Sequence, residues 1–390
     1  MNFPPTTAPA RLTRSRWIAS PLAAIVGGCL LAATATGGIS GTDDAVEEVL
    51  QFSMAPSSLV ATSDGHWLVG LDQRLRPRYR VVRISPDGQA VPFPDETSSS
   101  GAKGSDLPLD AVEALTIDRY GIAWMLDNGR RSETTPKLVG WNLATNQLTR
   151  VLYLNAPAVG SGSFCSDLVV DPGAPYAYIS DPAQGHDAAL IVVNLTTGLC
   201  RRVLTGQTCV QPDPEVQFEA QAADTLTRQR LDGTAAVPHT AVDALAIDRK
   251  GEWLYFAPLQ SSHIYRIPTA SLRDAALSPS QLADAVETYA KSPPTSSLVL
   301  DEKGNLYIAS INGRAIGRID PKSRDYHVLT RDIRLLRPDN LTFGRDGALH
   351  FDTPTRIRGN ATPTTSTTSA DTTSFSLFRL QPLAPGRAGD

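Results

Sequence analysis

The chain of 390 residues carries 36 Lys and Arg against 40 Asp and Glu, a net charge of −4, and 41% of its residues are hydrophobic. With no Lys/Arg run, this balance excludes a surface that tracks nucleic-acid phosphates, and the apolar content excludes a largely disordered chain. A chain this long buries a core without needing disulfides or a structural metal.

In chain order, Arg11, Arg14 and Arg16 precede an apolar stretch from Trp17 to Ala33, and Ala33-Thr34-Ala35 offers a small-residue cleavage site. That pattern predicts a secretory signal over residues 1–35, then a linker over 36–45. Pro21 and Gly27-Gly28 weaken the alternative of a retained membrane helix, whose length would be near the minimum for a span. Val26-Gly27-Gly28-Cys29 loosely matches a lipidation box, so a lipoprotein anchored at Cys29 is a minor alternative. The expected location is secreted or periplasmic, with no membrane contact after cleavage.

From Val46 onward a unit recurs six times: an apolar strand, an Asp-rich turn with Gly or Pro, and a second apolar strand. The copies are Leu59–Gly70, Ala114–Asp127, Leu168–Asp181, Ala244–Phe256, Leu298–Ser310 and Leu341–Asp352. Turn residues between β-branched and aromatic runs make each a β-hairpin. Third strands follow at Arg80–Ile84, Lys137–Asn142, Ala189–Val193, Ile264–Ile267 and Ala315–Ile319, with fourth strands at Leu148–Leu152, Arg201–Leu204 and Asp325–Leu329. Six repeats of four antiparallel strands predict an all-β, six-bladed β-propeller over residues 46–384, with a tail over 385–390. Val46–Phe52 and Phe375–Leu380 are predicted to share one blade and close the ring, leaving no exposed sheet edge. Ser98–Ser105 and Asn360–Ser374 are predicted mobile loops, and Leu277–Ala290 carries helical spacing after Ser278-Pro279-Ser280. After cleavage three cysteines remain; a hairpin around Thr205-Gly206 could join Cys200 to Cys209, and three buried thiols are the equal alternative. No Cys-x-x-Cys spacing marks a metal site.

If the first strand of each repeat is innermost, the residue ahead of it lines one mouth of the channel. Counting back from the turns gives Ser57, Glu113, Ser166, Asp243, Ser296 and Asp339, flanked by Ser58, Asp167, Ser297 and Asn340. Second-strand ends add Asp127, Asp181 and Asp352 to that rim. Several carboxylates, with no Lys or Arg at matching positions, favour a cation: a divalent metal such as calcium, or an organic amine. Asp, Asn and Ser also cap turns, but capping does not explain the lack of basic residues. Glu113, Asp167, Asp243, Asp339 and Asn340 are therefore the predicted ligand-binding residues, with Glu113, Asp243 and Asp339 as candidate metal ligands. His239, four residues before Asp243, is a weak candidate for a base. No Gly-x-Ser-x-Gly elbow, phosphate loop or paired-His zinc motif is present.

Asp243–Asp248, followed by Trp253–Thr269 with its Tyr-Phe-x-Pro-Leu-x-Ser-Ser element, resembles the Yellow and major royal jelly protein family, including bacterial members labelled dopachrome-tautomerase-related. Asp167–Asp171, Ala177–Asp181, Ala189–Asn194 and Arg337-Pro-Asp-Asn340 extend the resemblance. It implies a secreted six-bladed propeller whose channel mouth binds biogenic amines or other small molecules in some relatives. A more distant similarity to the gluconolactonase and senescence-marker family rests on Asp243-Ala-Leu and Pro338-Asp339-Asn-Leu, which resemble its metal-ligand segments. Ser57 stands where that family has an opening Glu. The expectations are then a monomer binding a small cationic or polar ligand, with a metal-dependent lactonase, a dopachrome-type tautomerase and a protein-interaction scaffold as alternatives.

Overall fold

Each repeat begins with a hairpin whose turn is built by its own sequence. In Asp118-Arg-Tyr-Gly121, Asp248-Arg-Lys-Gly251 and Asp301-Glu-Lys-Gly304, an Asp carboxylate accepts N–H groups two and four residues on. The glycine then takes positive φ, at 74°, 69° and 81° respectively. A side chain that caps its own turn, followed by a residue free to be left-handed, fixes a tight reversal between two strands.

The computed structural model describes residues 43–102, 105–183, 185–219, 239–356 and 373–389. Its strands form six four-stranded antiparallel sheets. Blade 1 holds β2 (Pro56–Ala61), β3 (Trp67–Leu71), β4 (Val81–Ile84) and β5 (Ala90–Pro92); blade 2 holds β6 (Val112–Ile117), β7 (Ile122–Asp127), β8 (Lys137–Asn142) and β9 (Gln147–Tyr153). Blade 3 holds β10 (Leu168–Val170), β11 (Tyr176–Asp181), β12 (Ala189–Asn194) and β13 (Cys200–Val203). Blade 4 comprises β14 (Val242–Ile247), β15 (Trp253–Pro258), β16 (His263–Pro268) and β17 (Glu287–Lys291); blade 5 comprises β18 (Thr295–Leu300), β19 (Leu306–Ser310), β20 (Ala315–Ile319) and β21 (Tyr326–Arg331). Blade 6 joins β22 (Asp339–Phe343), β23 (Leu349–Arg356) and β24 (Thr373–Leu380) to β1 (Val46–Phe52). The predicted closure is present: β1 pairs with β24 from Val46 opposite Leu380 to Phe52 opposite Phe375.

The core is divided among the blade interfaces. Leu59, Val69 and Leu377 pack between blades 6 and 1, Leu68 and Met125 between 1 and 2, and Leu138 and Ile191 between 2 and 3. Tyr178 and Phe256 fill the contact of blades 3 and 4, Ala257 and Ile308 that of 4 and 5, and Tyr307, Phe343 and Phe378 that of 5 and 6. Each sheet thus buries both faces against its neighbours, which is why the inner and second strands read as continuous apolar runs.

Two local expectations are corrected. Ser98 to Ser105 does not begin as a mobile loop: Glu96–Ser100 is a short helix, capped by Asp95 accepting from the Ser98 N–H, with Ser98 and Ser99 buried. The helical spacing over Leu277–Ala290 splits in two. Pro279–Asp284 is helical, started by a capping box between Ser278 and Gln281, whereas Glu287–Lys291 is β17, because blade 4 needs an outer strand. Cys165, Cys200 and Cys209 are all free thiols, so the hairpin does not join the latter two. The signal, the linker up to residue 42 and nearly all of the 360–374 loop lie outside the described residues. Among the described residues no helix is long and apolar enough to cross a membrane.

Candidate functional site at the channel mouth

The inner strands carry a common irregularity where they leave the mouth. Register between the first and second strands shifts at Pro56/Ser58, Val112/Ala114, Val242/Ala244 and Thr295/Ser297, and again at Asp339/Thr342. The residue skipped is Ser57, Glu113, Asp243 or Ser296, the very ring positions counted from sequence. A bulge adds one residue to one strand and re-aims its side chain out of the strand's regular alternation. In blade 6 the shift takes in Asn340, at φ 50°, a left-handed conformation that Asn tolerates better than most residues.

Around the ring the six positions alternate. Odd blades carry Ser57, Ser166 and Ser296; even blades carry Glu113, Asp243 and Asp339. Each odd-blade hydroxyl donates forward to the next blade: Ser57 to the Val112 carbonyl at 2.7 Å, Ser166 to Asp243 Oδ1 at 2.6 Å, and Ser296 to the Pro338 carbonyl at 2.9 Å. One residue deeper, Ser58, Asp167 and Ser297 accept backbone N–H groups of Leu115, Leu245 and Leu341, at 2.8 to 2.9 Å. The blades are therefore stitched in pairs, and the mouth has approximate threefold character with one carboxylate per pair.

The predicted residues thus fall into two layers. Glu113, Asp243 and Asp339 form the outer layer, half-buried in the funnel. Asp167 and Asn340 belong to the inner layer with Ser58 and Ser297, at the top of the channel cavity. There Asp167 also accepts its own neighbour's N–H from Leu168 at 2.7 Å, and the Asn340 amide donates to Asp352 Oδ1 at 2.8 Å.

No Lys or Arg stands at a ring position, but two cations reach the mouth from outside the ring. Arg74, in a single helical turn after β3, extends over it with its guanidinium chelated by Asp72 at 2.8 to 3.0 Å. Enclosure alone would lower its proton affinity, but Asp72, Glu113 and Asp339 raise it. Arg337 lies 3.7 Å from Asp339. Neither lies at a ring position; one comes from the connection after β3 and the other from the residues leading into β22. Asp72 was legible by the same-end rule, as the residue after the second strand of the first repeat, but Arg74 carried no such signal.

Two rim carboxylates serve the fold. Asp127 is fully buried and paired with Lys137 at 2.7 Å, while accepting N–H groups of Asp110 and Ala111. Asp181 is fully buried against Arg202 at 2.6 Å. His239 is fixed as wall: its ring stacks on Phe164 at 4.1 Å, its Nδ1 lies 3.1 Å from the Pro182 carbonyl, and enclosure lowers its proton affinity.

The remaining carboxylates hold protons tightly. Glu113 is raised from 4.5 to about 7, first by enclosure and then by the charges of Asp72 and Asp243, against Arg74 and a hydrogen bond from Asn128. Asp243 rises from 3.8 to about 7 by enclosure, with Asp339 and Asp167 adding to it and the Ser166 hydroxyl opposing. Asp352 reaches about 7 and Asp167 about 6, enclosure again leading, and Asp339 is raised for the same reason. After enclosure, Asp72 and Asp243 raise Glu113, Asp339 raises Asp167, Asp243 and Asp352, and Asp167 adds to Asp243, while Arg337 and Arg74 lower Asp339. Among the described residues no three His, Cys, Asp or Glu side chains are placed to hold a metal ion. Glu113, Asp243 and Asp339 act on one another through space without forming a ligand set as they stand.

Fold and mouth together describe a closed six-bladed propeller, whose channel in this chain opens on alternating hydroxyl and carboxylate blades. The family model described as major royal jelly protein matches residues 111–346, and the chain belongs to that family. Among solved structures, a luciferin-regenerating enzyme superposes with a TM-score of 0.53 at 11% identity, over 88% of this chain and 97% of that one. A calcium-binding protein, regucalcin, from Agrobacterium tumefaciens gives 0.48 at 12% identity, over 90% and 97% of the two chains. A gluconolactonase from Xanthomonas campestris gives 0.47 at 13%, over 85% and 89%. Similarities at these identities concern the fold alone. A search of curated proteins finds no match in sequence.

Proposed function

We propose that the chain, exported on the Arg11–Ala35 signal, binds a small organic cation at the upper channel mouth, with Glu113, Asp243 and Asp339 as its counter-charges. The observation that carries this reading is the threefold placement of one carboxylate on each even blade, in a funnel where carboxyl groups outnumber the guanidinium groups of Arg74 and Arg337. A primary ammonium has three N–H donors, matching three acceptors arranged around an axis. Asp167 and Asn340 are committed to neighbouring groups and orient the floor beneath the ligand. The reading is one of binding, with His239 held against Phe164 and the Pro182 carbonyl as part of the wall.

Calorimetric titration with phenethylamine, and with phenethyl alcohol as its neutral counterpart, tests it. The amine should bind at about pH 8, where carboxylates with affinities near 7 are ionised, and weaken by roughly tenfold or more at about pH 5.5. Equal binding of amine and alcohol, or tighter amine binding at the lower pH, overturns the proposal.

A further inference from the structure

From the inner polar layer of Ser58, Asp167, Ser297 and Asn340 downward the channel continues as a cavity of about 540 Å³, which Glu113, Asp243 and Asp339 do not line. Its size falls within the range of small-molecule pockets, ~300–1,000 Å³. From Asp167 to Asp171 the inner strand of blade 3 runs its full depth, four rises of ~3.3 Å or about 13 Å. Its upper end makes little polar demand on an occupant. Ser58, Asp167 and Ser297 face sideways into blade-to-blade hydrogen bonds, and the Asn340 amide is given to Asp352. Ile117, Val169, Val170 and Ile247 line the walls and stay only half-buried, so apolar surface remains uncovered there.

At the lower opening the carboxylates are consumed while a cation is not. Asp118 accepts from the Tyr120 and Ile122 N–H groups and the Trp124 indole, and Asp248 from those of Lys250, Glu252 and Trp253. Arg249 is paired with Glu302 at 2.5 Å, and Arg119 lies over the Tyr120 ring. Arg387 lines the opening with no hydrogen-bond or ion-pair partner among the described residues.

Arg387 is carried there by a strap, Leu383–Gly389, laid across the underside. Leu383 donates to the Tyr307 hydroxyl, Pro385 accepts from Glu302, Ala388 bridges Phe343, and the Gly389 carbonyl accepts from the Ile117 N–H at 3.2 Å and the Thr116 hydroxyl at 3.3 Å. Two glycines permit this approach: a Cβ on Gly386 would lie 2.0 Å from the Phe343 ring, and one on Gly389, at φ 101°, would lie 2.9 Å from Ile117.

We propose that this lower channel is a second binding site, for a small molecule with an apolar body and one anionic group, seated with its body between the inner strands and its anion on Arg387. The proposal does not rest on the upper-mouth reading and stands if that reading fails.

The test uses the full chain with anilinonaphthalene sulfonate as fluorescent probe, octanoate as competitor and octanol as neutral competitor. Octanoate should displace the dye from a single site. Arg387→Gln, at an exposed position, should weaken octanoate by about tenfold, the loss of one charge-assisted contact, and leave octanol unchanged. Val170→Phe should block both competitors; if that variant fails to fold, the Arg387→Gln comparison decides alone. Failure of the wild-type chain to bind either dye or octanoate overturns the proposal. So does an equal effect of Arg387→Gln on octanoate and octanol, or competition between octanoate and phenethylamine, which would place both at one site.

Discussion

Asp243→Asn should make the protein more stable at alkaline pH while removing one counter-charge from the mouth. Asp243 rises from 3.8 to about 7 on folding, chiefly through enclosure and with Asp339 and Asp167 contributing. A rise of roughly three pH units, at ~1.4 kcal/mol each, sets an upper limit of about 4 kcal/mol for keeping this carboxylate ionised in the folded state. The side chain still meets channel water, and screening reduces that to about 1–2 kcal/mol. The sign follows from proton binding. Between the unfolded value near 4 and the folded value near 7 the native state holds the extra proton, so stability falls as pH rises through this window. Below it the carboxyl is neutral in both states and no penalty exists; above it the penalty is complete. The amide is neutral throughout and its oxygen still accepts the Ser166 hydroxyl, so the bond at 2.6 Å survives. Calorimetric melting at about pH 8 should show a rise of about 1–3 °C for the variant, shrinking toward zero at about pH 4. Destabilisation at alkaline pH, or an equal gain at both pH values, would refute the reasoning and return Asp243 to a structural role.

Three further outcomes follow from the buried groups. Lys137→Met should destabilise by about 3–5 kcal/mol in denaturant titration, because fully buried Asp127 loses its counter-ion; an effect below about 1 kcal/mol would show the pair to be dispensable. Phe378→Ala should cost about 3–5 kcal/mol, measured the same way, because the ring is fully buried against Phe351 in the blade that joins β1 to β24. Timed thiol labelling read by mass spectrometry should modify half-exposed Cys200 first. Cys165 and Cys209, buried and with proton affinities pushed up by that burial, should react only on unfolding. A Cys200–Cys209 bridge in the purified protein would contradict the free thiols.

The blade count was legible because each hairpin is a local event. Asp118, Asp248 and Asp301 cap their own turns, glycines such as Gly121 supply the positive φ, and strand length follows from the apolar runs between them. Ring closure was legible because Val46–Phe52 and Phe375–Leu380 each lacked a local partner. Even the ring positions could be counted, and their alternation of Ser with Glu or Asp is present in the chain, though its meaning is not. That Ser57, Ser166 and Ser296 stitch blades in pairs, so that the carboxylates stand one per pair, depends on hydrogen bonds between residues 42 to 77 positions apart.

What the amino-acid order determined by itself was therefore the repeat, its strands and the end of the channel at which its acidic residues gather, since these rest on contacts within a hairpin. The tertiary structure decided which of those acids remain free. Asp127 and Asp181 look like Glu113 and Asp243 in sequence, yet Lys137 from the third strand and Arg202 from the fourth neutralise the first two. It also brought Arg74 over the mouth and laid Leu383–Gly389 beneath the channel, against blades far away in sequence. The physical reason is common to all of these: an ionised or polar group acquires its partner only when the ring closes, and the chain order does not record how far apart residues then stand.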